Sequence, residues 1–163
     1  KPIGPAAVEA VIRRGIYAMP SWTAGGPFPE TTGEIVGGEV SGEERAAVAA
    51  LFVVMMTDFS LDLIRSDNTV IVDGGLARID LFGAMLAQLR PAQRFLRSAM
   101  SEGSATGAAA LAFDALGHHP FKDETQAITA SAIAGLEAYR DAWRALAEQR
   151  RVTARRNAKG TAA

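Results

Sequence analysis

Two segments hold the residues whose types and spacing suit them to chemistry. In Thr69-Val-Ile-Val-Asp-Gly-Gly-Leu-Ala-Arg-Ile-Asp-Leu-Phe, a run of β-branched residues ends on Asp73, Gly74 and Gly75 before a helical pattern begins. A glycine pair between a strand and a helix lets the backbone take positive φ and leaves main chain that no β-carbon shields. A base or a ribose can lie flat against such a surface. The same pair also makes a tight turn with no ligand, and the residues by themselves leave both readings open. Spacing excludes a dinucleotide-binding loop: glycines are needed two and five residues after the first, and Leu76 and Ile79 stand there.

The second segment is Ser101-Glu-Gly-Ser-Ala-Thr-Gly-Ala-Ala-Ala-Leu-Ala. Its small residues permit a helix to approach a neighbouring backbone closely, and its N-terminus offers free N–H groups beside polar side chains. Close packing alone accounts for it equally, since alanine is also the best helix former. Other reactive types carry less. Asp58 and Asp62 lie four apart on one helical face and Asp73 precedes the glycines, but surface placement or capping explains them better than a role as general base. His118 and His119 follow Gly117, and the adjacent Pro120 and Phe121 add no metal ligand, so a loop or helix-end contact is expected.

The elements around these segments follow from local signals. Ala18 to Gly42 is rich in Pro, Gly, Ser and Thr, which opposes a long helix and predicts an irregular connector over 1–40 with short strands such as Glu34 to Val36. Within it, Trp22 is either hinge packing or a contact at a cleft edge. Ser41 and Glu44 form a capping-box pair and open a helix running to about Arg65. Thr69 to Val72 predicts a buried strand, Asp80 to Leu89 a helix stopped by Pro91, and Gln93 to Arg97 a strand. Ser104 to Leu116 predicts a helix ended by Gly117. This alternation implies partly parallel pairing in an α/β fold. A last helix is expected from Asp123, with Gln126 at capping-box distance and Ala132, Leu136, Tyr139, Trp143 and Leu146 on one face. Arg150, Arg151, Arg155, Arg156 and Lys159 sit among small polar residues, which predicts a flexible basic tail over 151–163.

Composition restricts the class. With 163 residues, 48% hydrophobic, the chain can bury about two thirds of its unfolded surface in one core. A formal net charge of −1 favours neither nucleic acid nor an anionic membrane, which leaves small molecules or proteins as expected partners. The absence of cysteine excludes disulfides and thiolate metal sites, and fits a cytoplasmic location. The apolar run Ala46 to Met56 falls short of a membrane span and reads as a core helix; the chain's five methionines, Met19, Met55, Met56, Met85 and Met100, are spread through apolar contexts and read as core filling. The start at Lys1, without a signal segment, reads as a cut from a longer chain.

Taken together, Asp73-Gly74-Gly75, a helix, then Ser101-Glu102-Gly103 running into Thr106-Gly107-Ala108-Ala109 resembles the C-terminal domain of the FGGY carbohydrate kinases, of the actin, hexokinase and Hsp70 superfamily. The separation of about thirty residues matches, and Pro20-Ser21-Trp22 with Gly25-Gly26-Pro27-Phe28-Pro29 resembles the connector before the long helix in some of these kinases. The resemblance implies an RNase H-like (actin-like ATPase) lobe over 41–150, a mixed sheet flanked by helices, and ATP with Mg²⁺ held in a cleft against a second lobe upstream. It places Gly74 and Gly75 against the adenosine, with Leu76 and Ala77 beside the purine. Ile79 stands where glycerol kinases of the family carry an adenine-contacting Asn, and Asp80 is the substitute within reach. The family's catalytic Asp base and phosphate loop belong to the upstream lobe, as do most sugar contacts, so this lobe alone is expected to be inactive. The function implied is transfer of the γ-phosphate of ATP to a sugar hydroxyl, with a homodimer through the last helix as a further expectation. Two other readings stand beside it: the nucleotide-binding lobe of another actin- or Hsp70-type ATPase, and a non-catalytic interaction domain.

Overall fold

The computed structural model describes residues 3–23, 25–99, 103–117 and 124–160. The chain divides into two compact units, Lys1–Arg65 with Ile133–Ala163, and Ser66–Ala132. His118, His119, Ser101, Glu102 and Asp123 lie outside the described residues.

In the first unit, helix α1 (Pro5–Arg14) occupies part of the segment expected to be irregular. Proline at its first turn and Gly15 in the left-handed region at its end are its local signals, and Val8 and Val11 give it a buried face. Strands β1 (Tyr17–Met19) and β2 (Glu34–Val36) pair antiparallel. Gly37 follows β2 at φ 95°, and a β-carbon there would stand 2.0 Å from the Gly15 carbonyl oxygen, so only glycine lets the hairpin return so close to α1. The loop between the strands is tied down by side chains: Ser21 Oγ donates to the Phe28 carbonyl at 2.7 Å, and Thr31 Oγ1 donates to the Pro20 carbonyl at 2.9 Å.

Helix α2 (Gly42–Leu63) starts on the expected capping box, the Ser41 hydroxyl accepting from Glu44 N–H and the Glu44 carboxylate from Ser41 N–H. By length and composition alone, Glu44–Leu63 could cross a membrane. Here it is a core helix, with Ala47, Leu51, Val54 and Met55 fully buried. Asp58 is buried as well and paired with Arg144, which corrects its expected place on the surface or at a cap. The same guanidinium reaches Asp62 at 2.7 Å.

That arginine comes from α5 (Leu136–Gly160). The helix begins thirteen residues later than Asp123, and its Leu136, Tyr139 and Trp143 face is buried in the unit rather than laid across its outside. Trp143 Nε1 donates to the Ala18 carbonyl and Tyr139 Oη to the Ile16 carbonyl, each at 2.8 Å. Burial, with Tyr17 stacked at 4.5 Å, pushes the Tyr139 hydroxyl pKa well above the usual tyrosine range. Phe28 meets Trp143 edge-on at 5.9 Å. The basic segment expected as a flexible tail is helical through Gly160. Arginine, alanine and glutamine favour helix, and Arg150 pairs with Glu34, Arg155 with Glu30 and Arg151 with Glu148.

The second unit holds a mixed three-stranded sheet in the order β3 (Val70–Val72), β4 (Phe95–Ser98), β5 (Thr125–Ala127), parallel then antiparallel. β5 occupies the stretch expected to open the last helix: Ile128 N–H donates to the Phe95 carbonyl, a long-range pairing that prevails over the local cap signal at Gln126. Helix α3 (Asp80–Leu89) has the expected bounds and buries Phe82, Met85 and Leu86. Gly83 packs under Ile128. β3 is half-buried rather than buried, Val72 facing inward while Ile71 is 53% exposed. Helix α4 (Gly103–Asp114) follows the small-residue segment, yet among the described residues Gly107 has open space around it and Leu111 is exposed, so none of them packs closely against it there.

Candidate functional site

The carboxyl ends of parallel strands are where α/β sheets bind ligands, and β3 ends at the glycine pair. Asp73 is still extended; Gly74 to Arg78 then form one 3₁₀ turn, and Ile79 N–H donates back to the Leu76 carbonyl at 3.1 Å. Gly74 sits at φ 67°, in the left-handed region, so the turn itself requires glycine there. Gly75 is different. Its backbone lies outside that region, and a β-carbon added to it would meet no atom within 4 Å. Local conformation and packing therefore leave the second glycine unexplained.

Leu76 within the turn and Ile79 just after it are each 38% exposed, while Ala77 is buried. Asp80 follows as the first residue of α3, and its carboxylate meets Arg97 of β4 at 2.7 Å. The five residues singled out in the sequence thus lie on one continuous turn-to-helix segment at the sheet's edge. Arg97 was not legible as their neighbour, because its partnership arises only from the parallel pairing that sets it beside Val72. Of the second motif, the described part is α4 from Gly103 onward. Among the described residues, no group of three or more His, Asp or Glu side chains converges as a metal site.

A family model described as "Carbohydrate kinase FGGY, C-terminal domain" matches residues 1–120. The chain belongs to this family. The FGGY C-terminal domain is also similar in structure to a carbohydrate kinase from Novosphingobium aromaticivorans, with 31% identity and a TM-score of 0.69 over 89% of this chain. The chain spans 30% of that kinase's length. No curated protein matches the sequence significantly. The mixed sheet flanked by helices accords with a carbohydrate kinase domain.

Such a kinase implies ATP, and the FGGY turn can be tested for fit. Open space over Gly75, bare main chain at Gly74 and Gly75, and two half-exposed aliphatic side chains suit the flat, partly apolar surface of a nucleoside. Ile79 brings no hydrogen-bonding group to a base, whereas Asp80 brings an acceptor.

Proposed function

We propose that this chain is the ATP-binding lobe of a carbohydrate kinase that transfers the γ-phosphate of ATP to a sugar hydroxyl. The lobe is of the RNase H-like, actin-like type, and the active enzyme is cytoplasmic. Adenosine lies on Gly74 and Gly75 between Leu76 and Ile79, with Asp80 at its edge. The base that deprotonates the sugar, the phosphate loop and most sugar contacts come from a second lobe. Mg²⁺ arrives with the nucleotide's phosphates and neutralises charge during transfer, a reaction that depends mainly on positioning and electrostatics. The observation that carries this reading is Gly75, a glycine the fold does not need, on an open turn in a chain of the FGGY family.

Gly75→Val in the whole enzyme tests it. A β-carbon at this position meets no described atom within 4 Å, and the side chain is placed to enter the space assigned to adenosine, so ATP affinity is expected to fall by about tenfold or more while the circular dichroism spectrum stays unchanged. Unaltered ATP affinity by calorimetry overturns the placement. ADP release measured over a panel of pentoses, deoxyhexoses and polyols identifies the acceptor, and no release with any of them overturns the kinase assignment.

A further inference from the structure

Trp22 lies over its own loop. Gly33 N–H donates to the Ser21 carbonyl at 2.6 Å, and a β-carbon on Gly33 would stand 2.6 Å from Trp22 Cδ2 and 2.8 Å from Cγ. Glycine at 33 therefore lets the indole rest against the main chain, yet Trp22 remains 53% exposed. The residue lines a cavity of about 380 Å³ together with Thr23 of the same loop and Phe52, Met56, Thr57 and Ser60 of α2. Phe52, Met56 and Ser60 are spaced four apart and form one stripe of that helix. All the lining residues belong to the first unit, and the volume falls near the lower end of the roughly 300–1,000 Å³ of small-molecule sites.

Among the described residues, every side chain lining this cavity is uncharged. A phosphate entering it would lose hydration with no cation in return. Ser60 Oγ donates to the Met56 carbonyl at 2.8 Å, whereas the hydroxyls of Thr23 and Thr57 hold no hydrogen bond among the described residues. Each can donate one bond and accept two, and the hydroxyls of a sugar do the same. The face of the indole is the negative side of its quadrupole and attracts the polarised C–H groups on the apolar side of a sugar. We propose that the cavity binds an uncharged monosaccharide or polyol, stacked on Trp22 and hydrogen-bonded by Thr23 and Thr57. It holds the unphosphorylated form and rejects the phosphorylated one. The kinase reading enters only for the source of the sugar, which is the acceptor itself or a second molecule of the same chemistry.

The test is calorimetric titration of the whole enzyme, and of Trp22→Ala, Trp22→Phe and Thr57→Val, with the panel of pentoses, deoxyhexoses and polyols. D-ribose 5-phosphate and adenosine serve as controls. Trp22→Ala is expected to lower sugar affinity about tenfold through lost stacking area, and Trp22→Phe to recover part of it. Thr57→Val keeps the β-branched shape and is expected to lower affinity about three- to tenfold, the loss of one hydrogen bond; an apolar occupant would bind it no worse than wild type. Acrylamide quenching reads the site directly. Trp143 is fully buried, so the difference between wild type and Trp22→Phe isolates Trp22, which a bound sugar should shield and D-ribose 5-phosphate should not. Thr57→Val and this quenching carry the test where Trp22→Ala disturbs the fold. ADP release separates the sources: a raised KM for sugar at unchanged kcat in Trp22→Ala and Thr57→Val marks the acceptor, and an unchanged KM with one binding event lost marks a second molecule. If sugars are phosphorylated while the variants keep wild-type affinity and Trp22 stays open to acrylamide, or if adenosine shields Trp22 and no sugar does, the sugar site is wrong and the kinase reading stands. If sugars bind in a Trp22-dependent way and none releases ADP, the kinase reading falls and the site remains. If no sugar binds, both fall.

Discussion

Replacing Arg144 by methionine is expected to cost far more than replacing its exposed partner Asp62. Asp58 is 1% exposed and Asp62 has a side chain 44% exposed, yet both share the same guanidinium. Burial opposes the charge on Arg144, but its hydrogen bonds to Asp62 and Asp58 outweigh that and raise its pKa above the usual arginine value. Without the cation, the buried Asp58 carboxylate loses its ion pair with Arg144. Breaking a buried pair from one side costs about 3–5 kcal/mol, and because Arg144 is itself 31% exposed the lower end, about 3 kcal/mol, applies. For a domain of this size that lowers the melting temperature by roughly 6–12 °C. Asp62→Asn removes only the exposed arm, worth less than about 1 kcal/mol. Removing both buried charges together, as Arg144→Met with Asp58→Leu, restores most of the loss, since a well-packed apolar pair replaces a buried ionic one at little cost. Thermal melts followed by circular dichroism, with Trp143 fluorescence reporting on this unit, compare the four proteins. If Arg144→Met melts no lower than Asp62→Asn, Asp58 does not depend on the cation and the account of how α5 is held to α2 is wrong.

The two glycines of the turn should separate in stability. Gly74→Ala forces a β-carbon into the left-handed region and costs about 1–2 kcal/mol, whereas Gly75→Ala is neutral or stabilising by up to about 1 kcal/mol through the unfolded chain; urea titrations of the two variants measure it, and equal losses refute the assignment. Glu44 gives a pH signature. Its hydrogen bond from Arg14, then those from Ser41, hold its pKa at about 2, below the ordinary 4.5. A carboxylate depressed on folding contributes stability that is fully present above the unfolded value and lost as pH falls through the folded one. Wild-type stability attributable to Glu44 therefore declines between about pH 4.5 and pH 2, and Glu44→Gln, less stable at neutral pH, should show a flatter curve across that window; parallel acid melts would refute it.

Where a signal is local, the sequence carries the structure closely. The capping box of Ser41 and Glu44 starts α2 where expected, and α3 keeps its bounds because its apolar spacing and Pro91 act within a few residues. Where two distant segments decide, the reading fails. Gln126 looks like a cap residue, but the edge of β4 offers Thr125 to Ala127 a ladder, and pairing prevails. Asp58 looks like a surface acid because nothing nearby in sequence announces Arg144, eighty-six residues away. The basic stretch after Arg150 looks disordered when only burial is weighed, yet helix-forming residues and acids on the hairpin order it.

The site divides in the same way, and more usefully. Gly74 and Gly75 are indistinguishable as letters, and both were legible as a possible ligand surface. Geometry separates them: positive φ accounts for the first, and neither φ nor packing accounts for the second. A residue type that folding would readily exchange for a better one, kept in the middle of an open turn, conflicts with local stability, and such conflicts are expected where function sets the choice. The same test applied to Gly37, which the Gly15 carbonyl makes obligatory, returns a structural answer. Gly4, Gly42 and Gly107 also have open space and no positive φ, so it is the place of Gly75 after the carboxyl end of β3, next to Leu76, that makes it the position where substitution should remove binding and spare the fold.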